Sequence, residues 1–159
     1  MTGNRMLTAA AAVLLLAGCN PFNRTPAVQV TPDANANLRW VGTLTSPAGL
    51  AGVVQIAGVT AMRPADKGGT RITTDVSNAT PGGVHPWALH RGQCGADEGL
   101  FGSADSYPVL KVGGDGRANA TTTVPIETPV DGRYFVSVGA SAANPETVVA
   151  CGNLAAPSR

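Results

Sequence analysis

The chain has 159 residues, 13% of them charged, and a formal net charge of +1. No basic run interrupts this sparse charge, which excludes the electrostatic footprint of a nucleic-acid partner. Its 20 glycines and 12 prolines suit short strands and turns far better than helices.

The chain opens MTGNRMLTAAAAVLLLAGCN. Arg5 and the amino terminus supply a positive start, and residues 6–16 are apolar or small. That run falls short of the ~20 apolar residues a membrane-spanning helix needs. A charged start, a short apolar core and a small-residue exit read as a secretory signal peptide. The exit, Leu16-Ala17-Gly18-Cys19, looks like a bacterial lipobox. In such a motif the cysteine sulfur receives a diacylglyceryl group and cleavage makes Cys19 the first mature residue. Two or more acyl chains give stable anchoring. Asn20 stands where an aspartate would resemble an inner-membrane retention signal, so the expected address is the outer membrane, facing the periplasm. The expected organisation is a signal peptide over 1–18, the lipidated Cys19 with a tether to residue 37, and one domain over 38–155. The tether assignment rests on a Pro-, Asn- and Thr-rich stretch with no hydrophobic period.

From residue 38 onward the signals are those of strands bounded by turns. Residues 38–44 place Leu38, Trp40 and Leu44 on one face. Residues 53–61 form a second run whose glycines leave its inward face ambiguous. Residues 71–76 alternate, and the turn Pro81-Gly82-Gly83 leads into 84–90. The segment 96–106 is the longest without a strand pattern, and long loops often carry function. Residues 109–112 end in Gly113-Gly114-Asp115-Gly116, a hairpin signal. Residues 117–124 set Ala118, Ala120, Thr122 and Val124 against polar neighbours. Asp131-Gly132 turns into 134–138, and 148–151 close the set. About eight strands at this spacing predict an all-β Greek-key sandwich or flattened eight-stranded barrel. Trp40 and Trp87 read as core, and the scattered Arg71, Arg91, Arg117 and Arg133 as solvated surface.

Of three cysteines, lipidation claims one and leaves Cys94 and Cys151. In an oxidising compartment an even pair reads as a disulfide, the alternative being two free thiols. Such a bridge stabilises by about 4 kcal/mol through loop-closure entropy.

Several segments, in order, are similar to those of the copper/zinc superoxide dismutase family over residues 41–154. Val53-Val54-Gln55-Ile56 resembles its second strand, and Pro81-Gly82-Gly83-Val84-His85-Pro86-Trp87-Ala88-Leu89-His90 the stretch carrying the first copper ligands. Gly113-Gly114-Asp115-Gly116-Arg117-Ala118 resembles the hairpin before a late strand. Gly132-Arg133-Tyr134-Phe135-Val136-Ser137-Val138 resembles the strand that delivers the last copper histidine. Val149-Ala150-Cys151-Gly152 resembles the barrel's end, with Cys151 as the family's disulfide partner and Cys94 as its mate.

The resemblance implies a metal centre that these residues do not supply. The family's His-x-His pair corresponds to Ala88 and His90, the third copper histidine to Gly139, and the anion-guiding arginine to Val148. The loop for the bridging and zinc-binding ligands corresponds to residues 95–108, which contain Asp97, Glu98 and Asp105 but no histidine. The whole chain has two histidines. On one continuous strand, His85 and His90 would face opposite ways and stand roughly 16 Å apart. By the resemblance His85 is a structural histidine bonding between loops. His90, alone or with Asp97 or Glu98, is the one candidate metal ligand. A hydrolase is not expected: a nucleophilic serine or cysteine needs a positioned base, the two histidines are the sole imidazoles available, and the expected disulfide removes Cys94 as a nucleophile. The expected function is therefore a binding or structural role at the cell envelope, without cofactor. The partners expected are the membrane, through the lipid, and another envelope protein. The alternative is a divergent dismutase or copper carrier with copper at His90.

Overall fold

Alternating side chains and glycine-marked turns make the domain nearly all β, with 55% of it in strands and 5% in helix. The computed structural model describes residues 38–50, 52–53 and 55–157. Cys19 and the expected signal peptide and tether lie outside the described residues. Ten strands follow in chain order: β1 (Trp40–Thr45), β2 (Ala57–Pro64), β3 (Thr70–Ser77), β4 (Val84–His85), β5 (Trp87–Gln93), β6 (Ala96–Leu100), β7 (Leu110–Lys111), β8 (Ala118–Val124), β9 (Tyr134–Ser141) and β10 (Asn144–Ala155). Eight of them form one antiparallel sheet in the order β6-β5-β9-β10-β1-β2-β3-β8, curled into a half-barrel. The short β4 and β7 pair separately.

The concave face holds the core. Because side chains alternate across a strand, the pairing registers Trp40↔Met62 and Met62↔Ile72 stack three apolar residues in a row across β1, β2 and β3. All three are essentially solvent-free, as are Leu44, Leu89, Leu110, Val124, Val136 and Val138. Each such side chain stabilises by roughly 1.5–3 kcal/mol relative to exposure. Trp87 is buried as well, and both indoles find acceptors: Trp40 Nε1 donates to Pro129 O at 2.9 Å and Trp87 Nε1 to Pro108 O.

Three threonines also lie on this face, and burying a hydroxyl without a partner is costly. Each is satisfied. Thr60 Oγ1 donates to Thr73 O and sits 3.2 Å from Thr74 Oγ1, while Thr70 Oγ1 donates to Ile126 O at 2.7 Å. Val, Ile and Thr share the branched Cβ that suits a pleated surface. Sparse charge and a threonine-studded interior are thus compatible with one core.

Three expectations shift. The second strand begins at Ala57 rather than residue 53, and Val53 is 86% exposed. The β1–β2 ladder ends at Thr45↔Ala57, where Ser46 Oγ accepts the Ile56 N–H at 3.0 Å and closes it. The segment 96–106 is not all loop: its first five residues form β6, paired to β5 through Gly92↔Asp97 and His90↔Leu100. Residues of an edge strand with mostly exposed side chains have no apolar face, so no alternation marks them. The count is ten rather than eight, because β6 and the two-residue β4 add to the expected set.

Cys94, in the β5–β6 turn, is joined to Cys151 on β10, with Sγ–Sγ 2.02 Å, Cα–Cα 6.0 Å and a sequence separation of 57. Replacing both cysteines by alanine is expected to lower the unfolding free energy by about 3–4 kcal/mol. Chemical denaturation checks this, and an unchanged midpoint would mean that the bridge constrains little.

Candidate functional site

The convex face of the sheet, opposite the core, carries a groove. Neighbouring strands bring its floor together through register. Ala88 of β5 pairs with Ser137 of β9, which pairs with Cys151 of β10, which pairs with Thr45 of β1. One row along, His90 pairs with Phe135, and Phe135 with Asn153. The cavity above these rows measures about 1210 Å³ and is walled by Pro86, Pro145, Glu146 and Val148 among others.

His90 is held on every side. Its side chain is 15% exposed, and its ring stacks on Phe135 with centroids 4.9 Å apart and planes 20° apart. Nε2 lies 3.0 Å from Ser137 Oγ. Nδ1 lies 3.0 Å from Asp97 Oδ2, at ion-pair distance but without the alignment of a full hydrogen bond. The Asp97 carboxylate is itself oriented, because its Oδ1 accepts the Gly99 N–H at 2.7 Å. Glu98 turns the other way and pairs with Arg133 at 3.0 Å.

His85 occupies a different environment. It is buried, with Nδ1 3.0 Å from Gly139 O, so it donates a hydrogen bond from β4 to β9. Pro86 sits between the two histidines, and β4 and β5 belong to different sheets. The structure therefore does not bring His85 and His90 together. Gly139 is equally constrained: its N–H donates to Pro86 O at 2.8 Å, and a Cβ there would stand 2.5 Å from Pro145 O and 3.0 Å from Pro86 Cγ.

A copper centre of the kind the resemblance implies does not fit these residues. Gly139 has no room for an imidazole, Ala88 offers no donor, and both nitrogens of His90 already have close neighbours. Among the described residues, no three His, Cys, Asp or Glu side chains converge on a common point. Sequence reasoning placed Asp97 near His90 without a geometry, and it missed Ser137 altogether. The signal for Ser137 was the pairing of β5 with β9, which no local pattern encodes.

Tyr107, which also lines the groove, packs edge-on against Trp87 at 5.3 Å and donates to Phe101 O. Burial pushes its hydroxyl up to about 12, outweighing the opposing pull of the Leu89 backbone and the Arg91 charge. Tyr134 is raised too, again chiefly by burial.

Two predictions follow from this geometry. Tyrosinate absorbance should show both tyrosines titrating above 10, with Tyr107 near 12. In the unfolded chain the phenol loses its proton near 10, so between these values the unfolded state binds fewer protons. Stability should therefore fall as pH rises through that window. An ordinary titration of Tyr107 near 10 would mean that it is solvated. Gly139→Ala should destabilise by about 1–3 kcal/mol through the clash with Pro145 O, read as a lowered denaturation midpoint. Unaltered stability would show that the Pro145 turn yields freely.

No protein-family model and no curated protein matches this chain.

Proposed function

We propose that the chain is a lipoprotein of the bacterial cell envelope, anchored through Cys19. On this reading its superoxide dismutase-like β domain binds a ligand in the convex-face groove in place of holding a copper/zinc centre. The supporting observation is the floor of that groove. Where the resembled family needs several copper-binding imidazoles, there is one, His90, already engaged by Ser137 and Asp97. Antiparallel strands, the Cys94–Cys151 bridge and a buried histidine linking strands are compatible with that resemblance. Fold alone does not confer the activity.

The groove itself suits a binding role. Concave sites of several hundred Å³ or more, with apolar walls and a few placed polar groups, are where ligands are held. Here Phe135, Ala88, Val148 and the disulfide supply the apolar surface, and His90, Asp97, Ser137 and Asn153 the polar points.

The test is elemental analysis of the protein purified from its native envelope, with dismutation assayed beside it. The expected result is no stoichiometric copper or zinc and no dismutation above a denatured control. One tightly held copper per chain, lost in His90→Ala, would overturn the proposal.

A further inference from the structure

The groove contains an arrangement that binding does not require. Ser137 Oγ, His90 Nε2, His90 Nδ1 and Asp97 Oδ2 form a chain of contacts, 3.0 Å at its first step and 3.0 Å at its last. A hydroxyl within hydrogen-bond reach of an imidazole, whose far nitrogen faces a carboxylate, has the geometry of an activated nucleophile. All three side chains line one cavity. We infer that Ser137 is a base-activated nucleophile and that the groove takes uncharged carboxylic esters with an apolar acyl group.

The surrounding structure supports each role. Ser137 lies directly opposite Ala88, which adds only a methyl beside it, and both residues line the groove. The His90 ring is fixed in plane by Phe135, so Nε2 stays aimed at the hydroxyl. Asp97 is a positioning residue. Its Oδ1 is tied to Gly99 N, and Cys94, in the turn leading into β6, is bridged to β10. Apolar walls from Phe135, Val148, Pro86 and Pro145 favour an apolar acyl chain. The carboxylates of Asp97 and Glu146 at the same groove disfavour an anionic one.

The reaction balances without a redox partner. As Ser137 Oγ forms a bond to the acyl carbon, its proton passes to His90 Nε2 and the carbonyl electron pair moves onto oxygen. The imidazolium so formed faces the Asp97 carboxylate. When the tetrahedral species collapses, the bond to the alkoxy oxygen breaks and that oxygen takes the proton from Nε2–H, leaving as an alcohol. Water, giving its proton to the same nitrogen, then attacks the acyl–Ser137 ester. The Oγ–carbon bond breaks, Oγ recovers a proton, and the carboxylic acid departs. The sum is ester plus water giving acid plus alcohol.

This inference goes beyond ligand binding and stands apart from it, since a ligand can fill the groove without reacting. The experiment uses the full chain with its disulfide intact and two probes, an alkyl fluorophosphonate and p-nitrophenyl butyrate. Intact mass and peptide mapping should find one phosphonyl adduct, on Ser137, at neutral pH. Ser137→Ala should abolish it, and His90→Gln should slow it by about 100-fold, the usual scale of general-base assistance. Asp97→Asn should lower kcat for the butyrate ester with KM little changed, which a purely structural role would not produce. Circular dichroism melts confirm that each variant folds. An absent adduct on folded protein, an equal rate in His90→Gln, or equal labelling of denatured chain would overturn the inference. None of these outcomes bears on metal content, so the binding proposal is judged separately.

Discussion

The pleat of β9 is the constraint on which both faces of this domain depend. Successive residues of a strand point to opposite sides, so Tyr134–Ser141 must divide its side chains between core and groove. Val136 and Val138 enter the solvent-free interior. Phe135, Ser137 and Gly139 face the convex side, where each meets a specific neighbour: the His90 ring, the His90 Nε2 atom and the Pro145 turn. A slip of one residue in its pairing with β5 would exchange the two sets. The apolar demand of the interior thereby fixes where the hydroxyl of Ser137 stands.

The same strand shows how one scaffold feature excludes another. Gly139 sits so close to Pro86 and Pro145 that its backbone carbonyl can meet His85 Nδ1 while no side chain fits. The close approach ties β4 to β9. It also removes the position from any ligand set. With Ala88 opposite Ser137 and Val148 opposite Gly139, the centre of the convex face is built from small or apolar residues around one imidazole. What remains is an open, mostly apolar groove with a narrow polar seam.

That seam is organised by restraints of different strength. The disulfide is covalent and ties the β5–β6 turn to β10. The bond from Gly99 N orients the Asp97 carboxylate. The contact of Asp97 with His90 is exposed on the carboxylate side, at 52%, so solvent weakens it relative to a buried pair. Stacking on Phe135 and the hydroxyl of Ser137 hold the ring where the contact with Asp97 alone would not.

Much of the fold was legible in the chain itself. Alternation marked β1, β3 and β8 because a sheet with one buried face imprints a period of two. Asp-Gly and Gly-Gly marked turns through backbone freedom, and parity marked Cys94 and Cys151 as partners. The shortage of imidazole was a matter of composition, and no tertiary arrangement could remedy it. Local pattern did not reveal β6, whose edge position buries almost nothing, or the true start of β2, set by the Ser46 hydroxyl closing the ladder at Ile56. Nor did it reveal the Ser137–His90–Asp97 seam. Those residues are 47 apart at one step and come from three strands, so their meeting is decided by the antiparallel registers of β5 with β6 and β9. Sequence determined the periodicities and the supply of donor atoms; tertiary pairing alone decided which of those atoms came within reach of one another, because proximity across strands depends on register and not on neighbours along the chain.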